Sequence, residues 1–282
     1  MSCRRRARTW GRVPAVDGGF IELARPSVAD AVPWLVASGA GGPRPIVAVP
    51  LVLTAAGHGK GDIPAALARE RARHPGLSYR YGRPLGPHPV LQDILAARID
   101  AALAGAPGRE TPRRDTHVVL AARGSTDPDA NAEIAKVARL LWEGRGYAGA
   151  EFCFISLAEP SVPAALHRAV LLGARRIVVA PYFLFPGVLP DRVVTQSREF
   201  AAAHRDLEIT VAGLIGGCDE LAGLVLERYD EALGGDIRMN CDTCAYRVAL
   251  PGFTDKVGRP QVPHFHPDDE HRHAHHAREV LS

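Results

Sequence analysis

One stretch of this chain occurs twice. FIELARPSVADAVPWLVASGA, from Phe20 to Ala40, matches FISLAEPSVPAALHRAVLLGA, from Phe154 to Ala174; each reads as a short strand, a Pro-Ser helix start, an amphipathic helix and a glycine near its end. The match continues. VAVPLVLTAAGHGKGD (Val47 to Asp62) answers VVAPYFLFPGVLPD (Val178 to Asp191), and each copy then runs through a helix, a strand (LSYRYGRPLG, LEITVAGLIG) and a closing helix (VLQDILAARIDAALAG, ELAGLVLERYDEALGG). Strands alternating with helix-length amphipathic segments predict an α/β fold with parallel sheets, and two copies predict pseudo-symmetric domains facing a cleft. The expected boundaries are 19–105 and 116–235, joined by the Pro-, Gly- and charge-rich linker Ala106 to Asp115 and followed by a tail over 236–282. Strands are expected near 20–24, 46–53, 77–82, 117–122, 151–156, 176–184 and 208–213.

The copies differ at their start. THVVLAARGSTDPDANAEIAKVARLLWEGRGY (Thr116 to Tyr147) reads as a buried strand, a loop at ARGSTDP and a long helix. Upstream of Phe20 stands only MSCRRRARTWGRVPAVDG, with no apolar strand. The N-terminal sheet is therefore expected to lack its first strand and to be one strand smaller than the C-terminal one. Arg4, Arg5, Arg6 and Arg8 read as the lead-in of a truncated or mis-started frame, a short targeting arm being the other reading.

Composition narrows the function. With 46% hydrophobic and 23% charged residues the 282-residue chain is that of an ordinary soluble protein, and it has neither a signal peptide nor an apolar run of the roughly 18–20 residues that span a bilayer. It reads as cytoplasmic, without a membrane partner. A net charge of +3 with dispersed arginines argues against a nucleic-acid partner, and the absence of GxGxxG and GxxxxGK[ST] against a nucleotide site. Five cysteines, an odd number, do not suggest a secreted disulfide framework.

The chemistry concentrates in PLVLTAAGHGKGDIP, Pro50 to Pro64. An apolar run, Ile46 to Leu53, ends in a small-residue turn that presents His58, and a helix is expected near Ile63 with Asp62 as its cap and Pro64 in its first turn. That position lies outside the carboxyl end of a strand, where open α/β sheets bind ligands, although a polar loop residue would look the same. His88, in LGPHP, stands at the next strand end, in a turn that needs no function. Cys241 and Cys244 form a lone CxxC. His264, His266, His271, His273, His275 and His276 crowd a tail too polar to fold alone, which reads as a metal-collecting segment.

Together the repeat, ARGSTDPDANAE, AAGHGKGDIP, LGPHP and GDIRMNCDTCAYRVALPGFTDKVGRPQ closely resemble the long, two-domain form of the sirohydrochlorin chelatases over about residues 19–263. The resemblance implies a class II chelatase fold, two tandem α/β domains with four-stranded parallel sheets and the tetrapyrrole between them. It implies a lyase that inserts Co2+ or Fe2+ into sirohydrochlorin, towards cobalamin or sirohaem. In the family two histidines of the N-terminal half hold the metal, one in a His-Gly-Ser loop after the first strand and one in the AAGH loop. His58 matches the second and Asp62 the acid that follows it; the first has no match, which brings the chain's own activity into question. The second copy has Arg123-Gly124-Ser125 in the corresponding loop and no histidine in PGVLPD, so that half is expected to be catalytically degenerate.

The residue types suit this reaction. A neutral imidazole binds borderline divalent metals and accepts protons near physiological pH, and a site with few protein ligands leaves positions open for the macrocycle nitrogens. Sirohydrochlorin carries eight carboxylates, for which Arg123 is the leading partner and Arg83 the next, with Ser125, Asp62 and His88 as further substrate-binding candidates. The CxxC resembles the family's MxCxxC motif, linked to an iron–sulfur cluster; two thiolates are half a four-cysteine shell, so completion from a second chain would make a homodimer. The missing histidine and the His-rich tail also fit another class, a non-catalytic metal-binding or delivery protein on the same fold.

Overall fold

The structure, a computed structural model, describes residues 15–22, 24–40, 44–105, 113–235 and 254–257. The first half runs α1 (Val28–Ala37), β1 (Ile46–Ala48), a π-helical turn (His58–Asp62) continuing into α2 (Ile63–Arg73), β2 (Tyr79–Tyr81) and α3 (Pro89–Ala104). The second runs β3 (His117–Ala122), α4 (Pro128–Trp142), β4 (Gly149–Phe154), α5 (Val162–Leu171), β5 (Arg176–Pro181), α6 (Val188–Ala203), β6 (Glu208–Val211) and α7 (Asp219–Gly234). Every strand pair is parallel. The second sheet has the order β4-β3-β5-β6, so its first strand is internal; the first sheet pairs β1 with β2.

The repeat survives in three dimensions, since an isolated bridge between Phe20 and Ser27 corresponds to one between Phe154 and Ser161. The expected strand over 20–24 does not form, however, and the described first sheet is two strands smaller than the second rather than one. In the second half β4 takes its partner from β3 alone. Among the described residues of the first half no counterpart of β3 exists for the Phe20 segment to pair with. The expected strand 46–53 likewise shortens to Ile46–Ala48, ahead of Pro50, which has no N–H for a ladder.

Alternation along the strands divides the second sheet between two cores. Val118, Leu120 and Val178 face one side; Val119, Ala121 and Val179 face the other, against Val162, Ala165, Leu166 and Ala169 of α5 and Val193 of α6. The first side is covered over β3 and β4 by α4 of the same half, through Ile134, Val137 and Leu141, and over β5 and β6 by a helix from the other half, α3, which contributes Leu91, Ile94, Leu95 and Ile99 to that core. Reciprocally, α7 of the second half packs against β1 and β2. The closing helices are thus exchanged between halves, and a smaller cluster of Val32, Ile46, Leu67 and Leu77 remains to the first half.

Polar ties follow the exchanged helix α7. Arg228, 1% exposed, donates to the carbonyls of Pro84 (3.0 Å) and Leu85 (3.1 Å) and to Glu231 Oε1 (3.0 Å). Glu231 also receives a two-point pair from Arg83, at 2.8 and 2.6 Å, which holds its carboxyl below the usual range. Removing the guanidinium strands two buried carbonyls, while Glu231 keeps its pair with Arg83. Arg228→Met is expected to destabilise the chain by about 2–4 kcal/mol in urea unfolding; a midpoint equal to that of the wild type would show these ties to be incidental.

Candidate functional site

The turn carrying His58 is not a loop. Glycines at 57, 59 and 61 let the chain coil wider than an α-helix, and the Ile63 N–H reaches back five residues to the His58 carbonyl, so the π-helical turn runs into α2 without a break. Asp62 is consequently no cap. It sits inside the helix with helical dihedrals and makes no capping bond; its carboxylate holds His58 Nδ1 at 2.7 Å. Tyr81 at the end of β2 steadies the turn from below, its hydroxyl donating to the Gly59 carbonyl at 2.7 Å, and burial pushes that phenol well above its ordinary pKa.

A residue that sequence reasoning missed completes the arrangement. Glu22 places Oε1 3.4 Å from His58 Nε2. Because a carboxylate only accepts, Asp62 fixes a proton on Nδ1, and the lone pair on Nε2 then faces a carboxylate oxygen. Two acceptors so placed call for a proton or a cation between them. With bonds of about 2.0–2.1 Å, as imidazole and carboxylate make to a first-row divalent ion, a 3.4 Å separation subtends roughly 110°, close to tetrahedral. Among the described residues no group of three or more His, Cys, Asp or Glu side chains could hold a metal. The repeat held a signal for Glu22: FIE in the first copy stands against FIS in the second, a lone acid where Ser156 occurs.

The second half supplies the opposite wall. Arg123 is exposed at the carboxyl end of β3, and its guanidinium has no hydrogen bond or ion pair among the described residues. Its loop is rigid. Gly124 has φ +86°, and a Cβ there would lie 1.9 Å from the Ser156 carbonyl oxygen, so only glycine fits. Ser125 Oγ accepts from the Asp127 N–H at 3.0 Å, and Asn131 brackets the Ser125 backbone with bonds of 2.9 and 2.8 Å.

The two walls are joined. Lys60, two residues beyond His58, places Nζ 2.7 Å from Asp127 and 3.1 Å from Asp129, and all three side chains are at least nine-tenths buried. Burial alone would lower the lysine pKa; the bonds to Asp127 and then Asp129 outweigh it and hold the ammonium above its ordinary value of 10.5. Its stabilising contribution is therefore complete below that pH and is lost only as the pH rises through the higher folded-state value. Ahead of the turn, the Ala55 N–H donates to buried Glu133 at 3.0 Å.

Other candidates go elsewhere. His88 is the N-cap of α3: Nδ1 accepts from the Val90 N–H at 3.2 Å, which puts the proton on Nε2, facing Glu227 at 3.2 Å. Both ring nitrogens are engaged within the protein. Arg83 is committed to Glu231. Cys241, Cys244, the six tail histidines and the N-terminal arginines lie outside the described residues.

Comparison with known proteins shows the family and the fold. The CbiX family model matches residues 3–102 and 117–232. A sirohydrochlorin cobaltochelatase of Priestia megaterium is 36% identical over 246 residues, covering 87% of this chain and 78% of that one, and a sirohydrochlorin ferrochelatase of the same organism is 29% identical over 214 residues, 76% of each. Among solved structures, SirB from Bacillus subtilis with Fe3+ superposes with a TM-score of 0.68 over 83% of this chain and 88% of that one, at 24% identity, which shows a shared fold. Matched in both halves by the family model and in fold by a two-domain chelatase, the chain belongs to the CbiX family, that of the sirohydrochlorin chelatases.

Proposed function

We propose that this chain inserts a divalent metal, Co2+ or Fe2+, into sirohydrochlorin, with His58 and Glu22 as the residues that present the ion. The observation that carries this reading is the His58 imidazole set between two carboxylates, Nε2 3.4 Å from Glu22 and Nδ1 2.7 Å from Asp62. Glu22 does not take the place of the missing family histidine, whose loop corresponds to that of Arg123; the repeat aligns it with Ser156, so it is a different group beside the same imidazole. In the reaction the macrocycle gives up two N–H protons and takes one divalent ion, so the site must release metal and accept protons at about the same place. Imidazole and carboxylate do both, and with few protein ligands the ion keeps positions for pyrrole nitrogens. Asp62 keeps the imidazole oriented. Arg123, uncommitted at the opposite wall, pairs with a carboxylate of the substrate, with the Ser125 loop holding it in place.

Three variants separate these roles in a visible-absorbance assay of Co2+ insertion. His58→Ala is expected to abolish insertion with little change in melting temperature, because a partly exposed side chain contributes little packing. Glu22→Gln is expected to slow insertion and weaken Co2+ binding by about tenfold or more. Arg123→Ala should raise KM for sirohydrochlorin and leave kcat nearly unchanged, the signature of lost uniform binding. Full activity of His58→Ala sinks the assignment. Metal binding without any spectral change of sirohydrochlorin in the wild type would favour instead the delivery protein suggested by the His-rich tail.

The cluster at Cys241 and Cys244 rests on the sequence motif, and a second copy of the chain would complete its four-cysteine shell. Anaerobic purification is expected to yield a brown protein containing iron and sulfide. A colourless, iron-free product removes the cluster, and with it the reason to expect a homodimer. No helix among the described residues is long and apolar enough to cross a membrane, in keeping with a proposed cytoplasmic enzyme.

A further inference from the structure

The second half, which has no histidine in its own equivalent turn, grips the turn that has one. Asp127, Asp129 and Glu133 all belong to the start of α4, Asp127 as its N-cap, and their carboxylates reach the His58 turn at two points on either side of the histidine: the Ala55 N–H before it and Lys60 Nζ after it. The grip spans 67 to 78 residues of sequence and is buried. From Asp127 the linkage passes through its own N–H to Ser125 Oγ, two residues from Arg123. A single chain of bonds therefore connects the imidazole's turn to the loop of the uncommitted guanidinium. The distance between His58 and Arg123 decides whether a macrocycle held by its carboxylates meets the ion, and the ammonium of Lys60 is the member that spans the two halves.

We propose that Lys60, paired with Asp127 and Asp129, is a positioning residue that holds the His58 turn in register with the Arg123 loop. It touches neither ion nor macrocycle. The proposal rests on the reading of His58 and Arg123 given above. If the register is lost, each wall still binds its own partner, but transfer between them slows, since a misplacement of about 1 Å costs up to about a hundredfold in rate.

The test uses the full chain. Lys60→Met alone strands two buried carboxylates and is liable to unfold, so the decisive variant is the triple Lys60→Met/Asp127→Asn/Asp129→Asn, which removes all three charges and keeps a good N-cap at 127. It is expected to melt close to the wild type, to bind Co2+ and sirohydrochlorin within about threefold of wild-type affinity, and to lose about ten- to a hundredfold in kcat for Co2+ insertion. Lys60→Arg, which keeps the charge, should recover part of that rate. Wild-type kcat in the triple variant overturns the proposal, and so does a loss confined to KM, which would make Lys60 a substrate-binding residue. If the wild type itself inserts no metal, the chelatase reading falls, and the latch is then read by amide hydrogen exchange over residues 57–62. Exchange there should quicken by about tenfold or more in the triple variant; unchanged exchange overturns the latch as well.

Discussion

Strands β3 and β5 are apolar on both faces, and the second half covers one of them only in part with its own α4. The face opposite α5 and α6 is shared by α4, over β3 and β4, and by α3, a helix of the first half over β5 and β6, whose Leu91, Leu95 and Ile99 are essentially without solvent exposure. Each such side chain is worth about 1.5–3 kcal/mol on burial, more than any single ion pair across the same boundary. Hydrophobic burial therefore holds the halves together, while Lys60, Arg83, Arg98 and Arg228 fix how they are aligned. A non-directional force supplies the strength and directional bonds supply the register.

This division of labour explains how the proposed metal site is held. His58 rides on a turn whose own half provides a small core, yet its setting is firm: Tyr81 holds Gly59 from one side and the carboxylates of α4 hold Ala55 and Lys60 from the other. Metal insertion needs a loosely ligated ion beside a well-positioned macrocycle, so the protein must be rigid around a site that is itself open. The π-helical turn serves this need by setting His58 and Asp62 on one face of a helix that the rest of the molecule clamps.

Much of this was legible in the sequence. The internal repeat predicted parallel α/β halves, and the apolar runs of the second copy, flanked by amphipathic helices, gave its four strands close to their observed places. The first sheet was less legible because strand length depends on a neighbour: with no described partner for the Phe20 segment, an equally apolar stretch makes one bridge instead of a ladder. His58 was found from its position after a strand. Glu22 was not, because a contact across 36 residues leaves no local pattern. The role of His88 was readable in principle, as it precedes a proline at the first helical position, where caps occur. The exchange of α3 and α7 was beyond reach, since periodicity tells which face of a helix is apolar and not which sheet will cover it.

That exchange bears on how the two copies can diverge. A duplicated unit whose copies each close their own core can let one copy decay without harm to the other. Here the second copy lends its neighbour a covering helix and three anionic anchors, while borrowing a helix in return. The turn at Pro186–Asp191 was free to dispense with a histidine, because nothing that the first half takes from the second depends on a metal. The helices were not. Changes in α7 reach the first sheet and changes at the start of α4 reach the His58 turn, so the shape of each half is tied to that of the other.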